Sequence, residues 1–152
     1  MANNFAKFLT FEDNEHIRVV NYINDKLSEV MAFHIPSEGK RSAYERFKYS
    51  LMGAKKGLPD FIFLHATYKD KEVIYHGLAI ELKSQEHKRI ILKGKKAGTV
   101  VKTKGKLGDE QKIVLAKLND IGYKAVCCFG SDEAITVIKE YFKEYLEQQK
   151  QI

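Results

Sequence analysis

Tryptophan is absent from this chain, proline occurs twice, and the only cysteines are the neighbours Cys127 and Cys128. Two adjacent thiols inside the apolar segment KAVCCF suit reduced, packed side chains and exclude a disulfide framework or a zinc site. Long hydrophobic runs are missing as well. Phe61–Leu64 and Ala125–Phe129 fall far short of the roughly 20 apolar residues that cross a bilayer, and the N-terminus lacks a basic-then-apolar secretory pattern. The expectation is a cytoplasmic protein without a membrane partner. No glycine-rich phosphate loop occurs, which removes nucleotide hydrolysis. His34, His65, His76 and His87 lack the close spacing of a soft-metal site and are expected to be packed or surface residues. There is no internal repeat or low-complexity segment. A chain of 152 residues with 44% hydrophobic content is the size of one domain and can bury a core. A single domain over 1–152 is expected.

What is present is uneven charge. The net charge is +6, yet Glu86–Lys106 alone holds eight Lys/Arg against one Glu, a local +7 that leaves −1 for the rest. A cationic segment on a nearly neutral body is the footprint of a phosphate-backbone contact, with a solvated lysine loop as the plain alternative. Within it, RIILKGKKAGTVVKTKG reads as a ribbon of two short apolar strands around Gly and Lys. It supplies Lys88, Arg89, Lys93, Lys95, Lys96, Lys102 and Lys104 as candidate DNA contacts. Lys40 and Arg41, in the polar loop HIPSEGKRS, are further phosphate candidates.

Local patterns predict the elements. Thr10-Phe-Glu-Asp13 reads as a capping box opening a helix near 11–31, with Val19, Val20, Ile23, Leu27 and Val30 on one face. Glu12 and His16 fall on the same face of the wheel, and Glu15 on its shoulder. Ser42-Ala-Tyr-Glu45 is a second capping box, opening a helix over 42–52 that Gly53 stops. Two strands rich in β-branched and aromatic residues follow, at 59–68 and 73–83. Gly108-Asp109 opens a helix to about 121, with Val114, Leu115, Leu118 and Ile121 on its apolar face and Gln111 at its head. KAVCCF is a buried strand, and Ser131 caps a final helix carrying Ile135, Ile138, Phe142 and Leu146. The aromatic residues fit core positions better than a base-stacking platform.

The candidate chemistry begins at GLPDFIF, residues 57–63. Asp60 stands at the mouth of an apolar strand, where a carboxylate is costly without compensation. If Asp70 and Lys71 are the central residues of the turn between the two strands, paired positions sum to 141 and Asp60 faces Glu81. Facing residues of an antiparallel pair lie within a few ångströms. Alternation then puts Lys83 on the face of Glu81 and Leu82 on the other. Two carboxylates forced together share a proton or hold a hard divalent cation such as Mg²⁺. A lysine beside them suits phosphodiester cleavage, where it orients or deprotonates a water or offsets charge on phosphorus. Pro59 and Gly57 are expected to let substrate approach the start of the strand. The competing reading of PD followed by ExK is an exposed cross-strand salt bridge.

Four motifs in order, HIPSEGKRS, GAKKGLPDFIFL, GLAIELKS and DEQKIVLAKLNDIGYKAVCC, resemble the VRR-NUC domain of the PD-(D/E)xK nuclease superfamily over about residues 10–146. The resemblance implies an α/β, restriction-endonuclease-like core, a mixed β-sheet flanked by helices. It implies a Mg²⁺- or Mn²⁺-dependent DNA endonuclease acting as a homodimer on branched DNA such as Holliday junctions. It makes Asp60, Glu81 and the Leu82 carbonyl metal ligands, Lys83 the catalytic lysine, and Gln111 a polar site residue. A first-helix glutamate also belongs to the site, with Glu12 preferred over Glu15 on the wheel argument. The sequence departs from the family at Ser37, where many relatives have Asn. It departs again in the 28 positions from Lys83 to Gln111, a longer link whose extra length is the basic ribbon of 86–106. That ribbon is expected to grip a DNA arm, with a dimerisation arm as its rival. A DNA-binding module without turnover, with Asp60, Glu81 and Lys83 as a structural ion cluster, is the alternative function.

Overall fold

A computed structural model describes residues 6–35 and 42–149. Lys40, Arg41 and Ser37 lie outside the described residues. Backbone contacts divide the chain into two units: the described residues of Met1–Ser28, Leu82–Lys106 and Cys127–Ile152, and those of Glu29–Glu81 with Leu107–Val126.

In the first unit, α1 (Phe11–Lys26) starts at the expected capping box. The Asp13 backbone N–H donates to the Thr10 hydroxyl at 3.1 Å, and the Thr10 N–H donates back to the Asp13 carboxylate at 2.7 Å. That backbone donor is the main reason the Asp13 carboxyl is held below its ordinary value. The helix buries Glu15, Val19 and Ile23, with Leu27 following as its C-cap residue. It ends at Lys26, short of the expected 31. It packs against α4 (Ser131–Tyr141), which buries Ala134, Ile138 and Tyr141. An Arg18–Asp132 ion pair at 2.7 Å lies at the edge of this contact. The expected single last helix is two, because α5 (Lys143–Gln149) follows after a break at Phe142. Ser131 is the first helical residue and Gly130 the N-cap.

The second unit contains β1 (Ala32–His34), α2 (Ala43–Leu51), β2 (Phe61–Phe63), β3 (Thr67–Lys69) and β4 (Glu72–Tyr75). β5 (Leu78–Lys83) begins here, and α3 (Asp109–Asp120) leads into β8 (Lys124–Phe129). The capping box of α2 is formed, with the Ser42 N–H on the Glu45 carboxylate at 2.8 Å. No residue of α2 is buried, so Tyr44 and Phe47 are exposed aromatics rather than the core residues expected. On α3, Ile121 is exposed as well, beyond the last helical residue. The Asn119 side chain ties the end of α3 to the following strand, donating to the Ala125 carbonyl at 2.9 Å and accepting from the Ala125 N–H at 3.0 Å.

The four-stranded sheet has the order β1-β2-β5-β8. β1, β2 and β5 are antiparallel neighbours. Backbone bonds from Lys124 N–H to Gly77 and from Gly130 N–H to Lys83 advance together along both chains, the pattern of a parallel pair. The result is the expected mixed sheet flanked by helices in an α/β fold. Leu78–Leu82 is buried throughout, as a central strand covered on both faces requires.

The expected long hairpin is broken in two. β3 and β4 form a separate two-stranded sheet around Asp70 and Lys71, both with positive φ as a tight two-residue turn demands. A bulge between Thr67 and Tyr68 shifts the register by one, yet both hairpin halves return to pairs that sum to 141. A third sheet pairs β6 (His87–Ile90) with β7 (Val100–Thr103).

Candidate active site

β2 and β5 pair Phe61 with Ile80 and Phe63 with Leu78. Continuing that register by one residue sets Asp60 across from Glu81. Both are deep in the protein, at 7% and 2% exposure, which overturns the exposed salt-bridge reading. Buried carboxylates need donors or a cation. The Gln111 side-chain amide donates to Glu81 Oε1 at 2.5 Å. Gln111 is itself held, since its amide oxygen accepts from the Gly108 N–H at 2.9 Å, closing the N-terminus of α3. That glutamine fixes the orientation of the Glu81 carboxylate from a helix 30 residues downstream.

The start of α3 is seated against Gly57. A Cβ on Gly57 would lie 2.7 Å from both the carbonyl carbon and oxygen of Glu110 and 3.0 Å from the Gln111 nitrogen, and its φ is +78°. The loop before Asp60 and the backbone of Gln111 are therefore in direct contact. Pro59, expected with Gly57 to let substrate approach the start of the strand, is among the fully buried side chains. The Asp60 carbonyl accepts from the Ile35 N–H at 2.7 Å, which ties the strand mouth to the end of β1.

Lys83 follows Glu81 by two positions on β5 and so leaves the strand on the same side. Leu82 between them is buried. In the first unit, Gly105 packs flat on this strand end: its N–H donates to the Ser84 carbonyl at 2.8 Å, and a Cβ there would meet the Lys83 Cβ at 2.9 Å. The Lys83 carbonyl accepts from the Gly130 N–H at 2.9 Å.

The two first-helix candidates differ in environment. Glu12 is exposed in the first turn of α1, while Glu15 is 5% exposed. The wheel places Glu12 close to Val19 in angle, but angle does not say how far along a helix its cover extends. Glu15 Oε2 accepts from the Ser131 N–H at 2.5 Å, where a carboxylate offsets the partial positive charge of the α4 N-terminus. Because the preceding N–H, that of Gly130, holds the Lys83 carbonyl, Glu15 supports the end of β5 through two adjacent backbone groups. Expected outcomes follow for two variants. Glu15→Gln keeps an acceptor for Ser131 and should cost under about 1 kcal/mol, whereas Glu15→Ala leaves a buried N–H unsatisfied and should cost about 1–3 kcal/mol. Urea denaturation measures both, and equal losses would remove the anchoring role.

Among the described residues no group of three or more His, Cys, Asp and Glu is arranged to hold a metal ion. What the β2–β5 register brings together is smaller and harder: two facing carboxylates. This fits Mg²⁺ or Mn²⁺, since Mg²⁺ is commonly held by one or two carboxylates and keeps several waters. Three of the histidines lie against aromatic rings, His34 on Phe61, His76 on Tyr123 and His87 on Phe11. No helix of the described residues is long and apolar enough to cross a membrane.

No family model matches the chain, and no curated protein matches it. Among solved structures, a chain described as a "VRR_NUC domain protein" is 27% identical with a TM-score of 0.60, over 89% of this chain and 90% of its own length. The motif order, the strand order and this likeness agree in supporting a VRR-NUC domain, a nuclease-type domain of the PD-(D/E)xK superfamily.

Proposed function

We propose that the protein is a Mg²⁺- or Mn²⁺-dependent endonuclease that hydrolyses phosphodiester bonds in DNA, selecting branched or structured duplexes such as Holliday junctions. The observation that carries this reading is the buried pair Asp60 and Glu81, facing across β2 and β5 with Gln111 bonded to Glu81. The branched substrate and a homodimeric state rest on the family resemblance. DNA as the polymer is supported by the eight cationic residues of 86–106.

Asp60, Glu81 and the Leu82 carbonyl would hold the ion, with Gln111 keeping the Glu81 carboxylate from rotating away. When bound, the ion supplies charge stabilisation at the phosphoryl oxygens and a more acidic water. The remaining steps belong to the chain. Lys83, on the face of Glu81, orients or deprotonates the attacking water, or offsets charge gathering on phosphorus. Water attacks in line, one P–O bond forms, and the bond to the leaving sugar oxygen breaks. Glu15 acts as a positioning residue, through the backbone that holds the end of β5. Glu12, at the exposed start of α1, takes the place of a first-helix carboxylate only if that turn reorganises on DNA.

The test uses purified protein with a nicked plasmid and a four-way junction in Mg²⁺, Mn²⁺ or EDTA. Cleavage is expected in both metals, with none in EDTA and recovery on adding metal back. Cutting that ignores EDTA rejects the metal mechanism. Binding without cutting in any metal assigns the chain instead to a DNA-binding module.

A further inference from the structure

The β6–β7 ribbon pairs His87 with Thr103, Lys88 with Lys102, Arg89 with Val101 and Ile90 with Val100. Alternation sends these residues to two sides. His87, Ile91, Val101 and Thr103 are half-buried, while Lys88, Ile90, Leu92, Val100, Lys102 and Lys104 are exposed. The exposed side is sorted along its length. Lys88 and Lys102 face each other near the base. Ile90, Val100 and Leu92 stand nearer the turn, at 57%, 57% and 83% exposure. The loop beyond them is closed by the Gly98 N–H on the Ile91 carbonyl at 2.7 Å and adds Lys93, Lys95 and Lys96.

This arrangement gains little for the isolated fold. Lys102 is ion-paired with Glu86 at 3.0 Å, an exposed contact worth little in water, Lys88 faces it as a like charge, and three aliphatic side chains in water bury no area. The base, in contrast, is fastened. The His87 ring stacks on Phe11 at 4.2 Å, Lys104 lies over the Phe129 ring at 4.2 Å, and Gly105 is bonded to Ser84. A ribbon held at its root, with an apolar stretch between the lysines of its base and those of its end loop, complements a ligand that offers an apolar slot framed by anions. DNA with an unstacked base step is such a ligand, since phosphates flank the opening and base faces line it. A two-stranded β-ribbon fits a DNA groove, and Leu or Ile side chains are able wedges between base steps.

We infer that the ribbon is a wedge arm, in which the lysines hold phosphates around a branch or distorted step while Ile90, Leu92 and Val100 enter between the unstacked bases. The inference rests on the DNA endonuclease reading and names what that enzyme recognises: opened base faces rather than a base sequence.

The experiment measures binding in EDTA to a four-way junction and to a continuous duplex, each with 2-aminopurine at its centre. The wild-type protein is compared with Ile90→Ser/Leu92→Ser/Val100→Ser and with Lys88→Ser/Lys102→Ser. Wild-type binding is expected to raise 2-aminopurine fluorescence in the junction. The tip variant should lose that rise and about tenfold in junction affinity, with duplex affinity within about twofold and the salt slope unchanged. The lysine variant should keep the rise and lower the salt slope by about 2. Leu92→Ser alone, at the most exposed position, repeats the test should the triple variant fold poorly. Equal weakening on both DNAs, an unchanged junction preference, or transfer of the tip effect to anionic phosphatidylglycerol vesicles would each overturn the wedge. Parallel Mg²⁺ digests separate the two readings. A fluorescence rise without any cutting rejects the nuclease alone, and junction cutting indifferent to the tip rejects the wedge alone.

Discussion

Asp60→Ala is expected to lower DNA cleavage by about a thousandfold or more while the metal-free protein melts at or above the wild-type temperature. Most buried-site substitutions do the reverse, losing stability first and activity as a consequence. The sign differs here because Asp60 and Glu81 are both buried and set across from each other by the β2–β5 register. Without a cation two carboxylates facing across neighbouring strands oppose each other, and removing one relieves that opposition. Metal inverts the comparison. An ion that binds only the folded wild type adds about 2.7 kcal/mol at a hundredfold excess over its dissociation constant. The Asp60→Ala protein should show no such gain. Lys83→Ala separates ligand from catalyst, because it should lose cleavage yet keep the Mn²⁺-dependent rise in melting temperature. Differential scanning calorimetry with and without Mn²⁺, beside a plasmid digest, reads both quantities. An Asp60→Ala protein that is less stable without metal, or that still responds to Mn²⁺, would show the carboxylate to be a structural group.

The parts of this protein legible in its sequence are those governed by short-range rules. Both capping boxes depend on residues three apart, and both are formed. The Asp70-Lys71 turn sets the hairpin register through two residues with positive φ, and the sum of 141 survives a bulge because the extra residue is offset before β5. What the sequence hid depends on a distant third element. Glu15 is a buried anchor only because α4 begins beside it, 116 residues later. Ser131 appears to any local rule as an N-cap, yet its backbone N–H is claimed by that glutamate and Gly130 holds the cap position. Asn119 looks like ordinary late-helix polarity until the Ala125 backbone is placed against it. Gln111 is the intermediate case. Its position at the head of α3 follows from helix phase, but its bond to Glu81 follows from how α3 is docked.

That docking explains why Gly57→Ala should be the most damaging single-methyl change near the site. Two penalties coincide at this position. A φ of +78° costs an alanine about 1 kcal/mol, and the new Cβ would sit 2.7 Å from backbone atoms of Glu110, which cannot swing aside as a side chain would. Together they should remove about 2–4 kcal/mol, roughly 5–10 °C in melting temperature for a chain of this size. Gly53→Ala supplies the control. Its φ of +82° is equally unfavourable, but nothing lies within 4 Å of its Cβ position, so only the first penalty applies. The difference between the two variants isolates the contact of the Asp60 loop with α3. Cleavage assayed far below both melting temperatures should fall further in Gly57→Ala than in Gly53→Ala, because Gln111 shares the backbone that must move and is bonded to the Glu81 carboxylate. Identical losses in stability and cleavage for the two glycines would mean that strain in the chain direction, not the seating of α3, sets the geometry of the carboxylate pair.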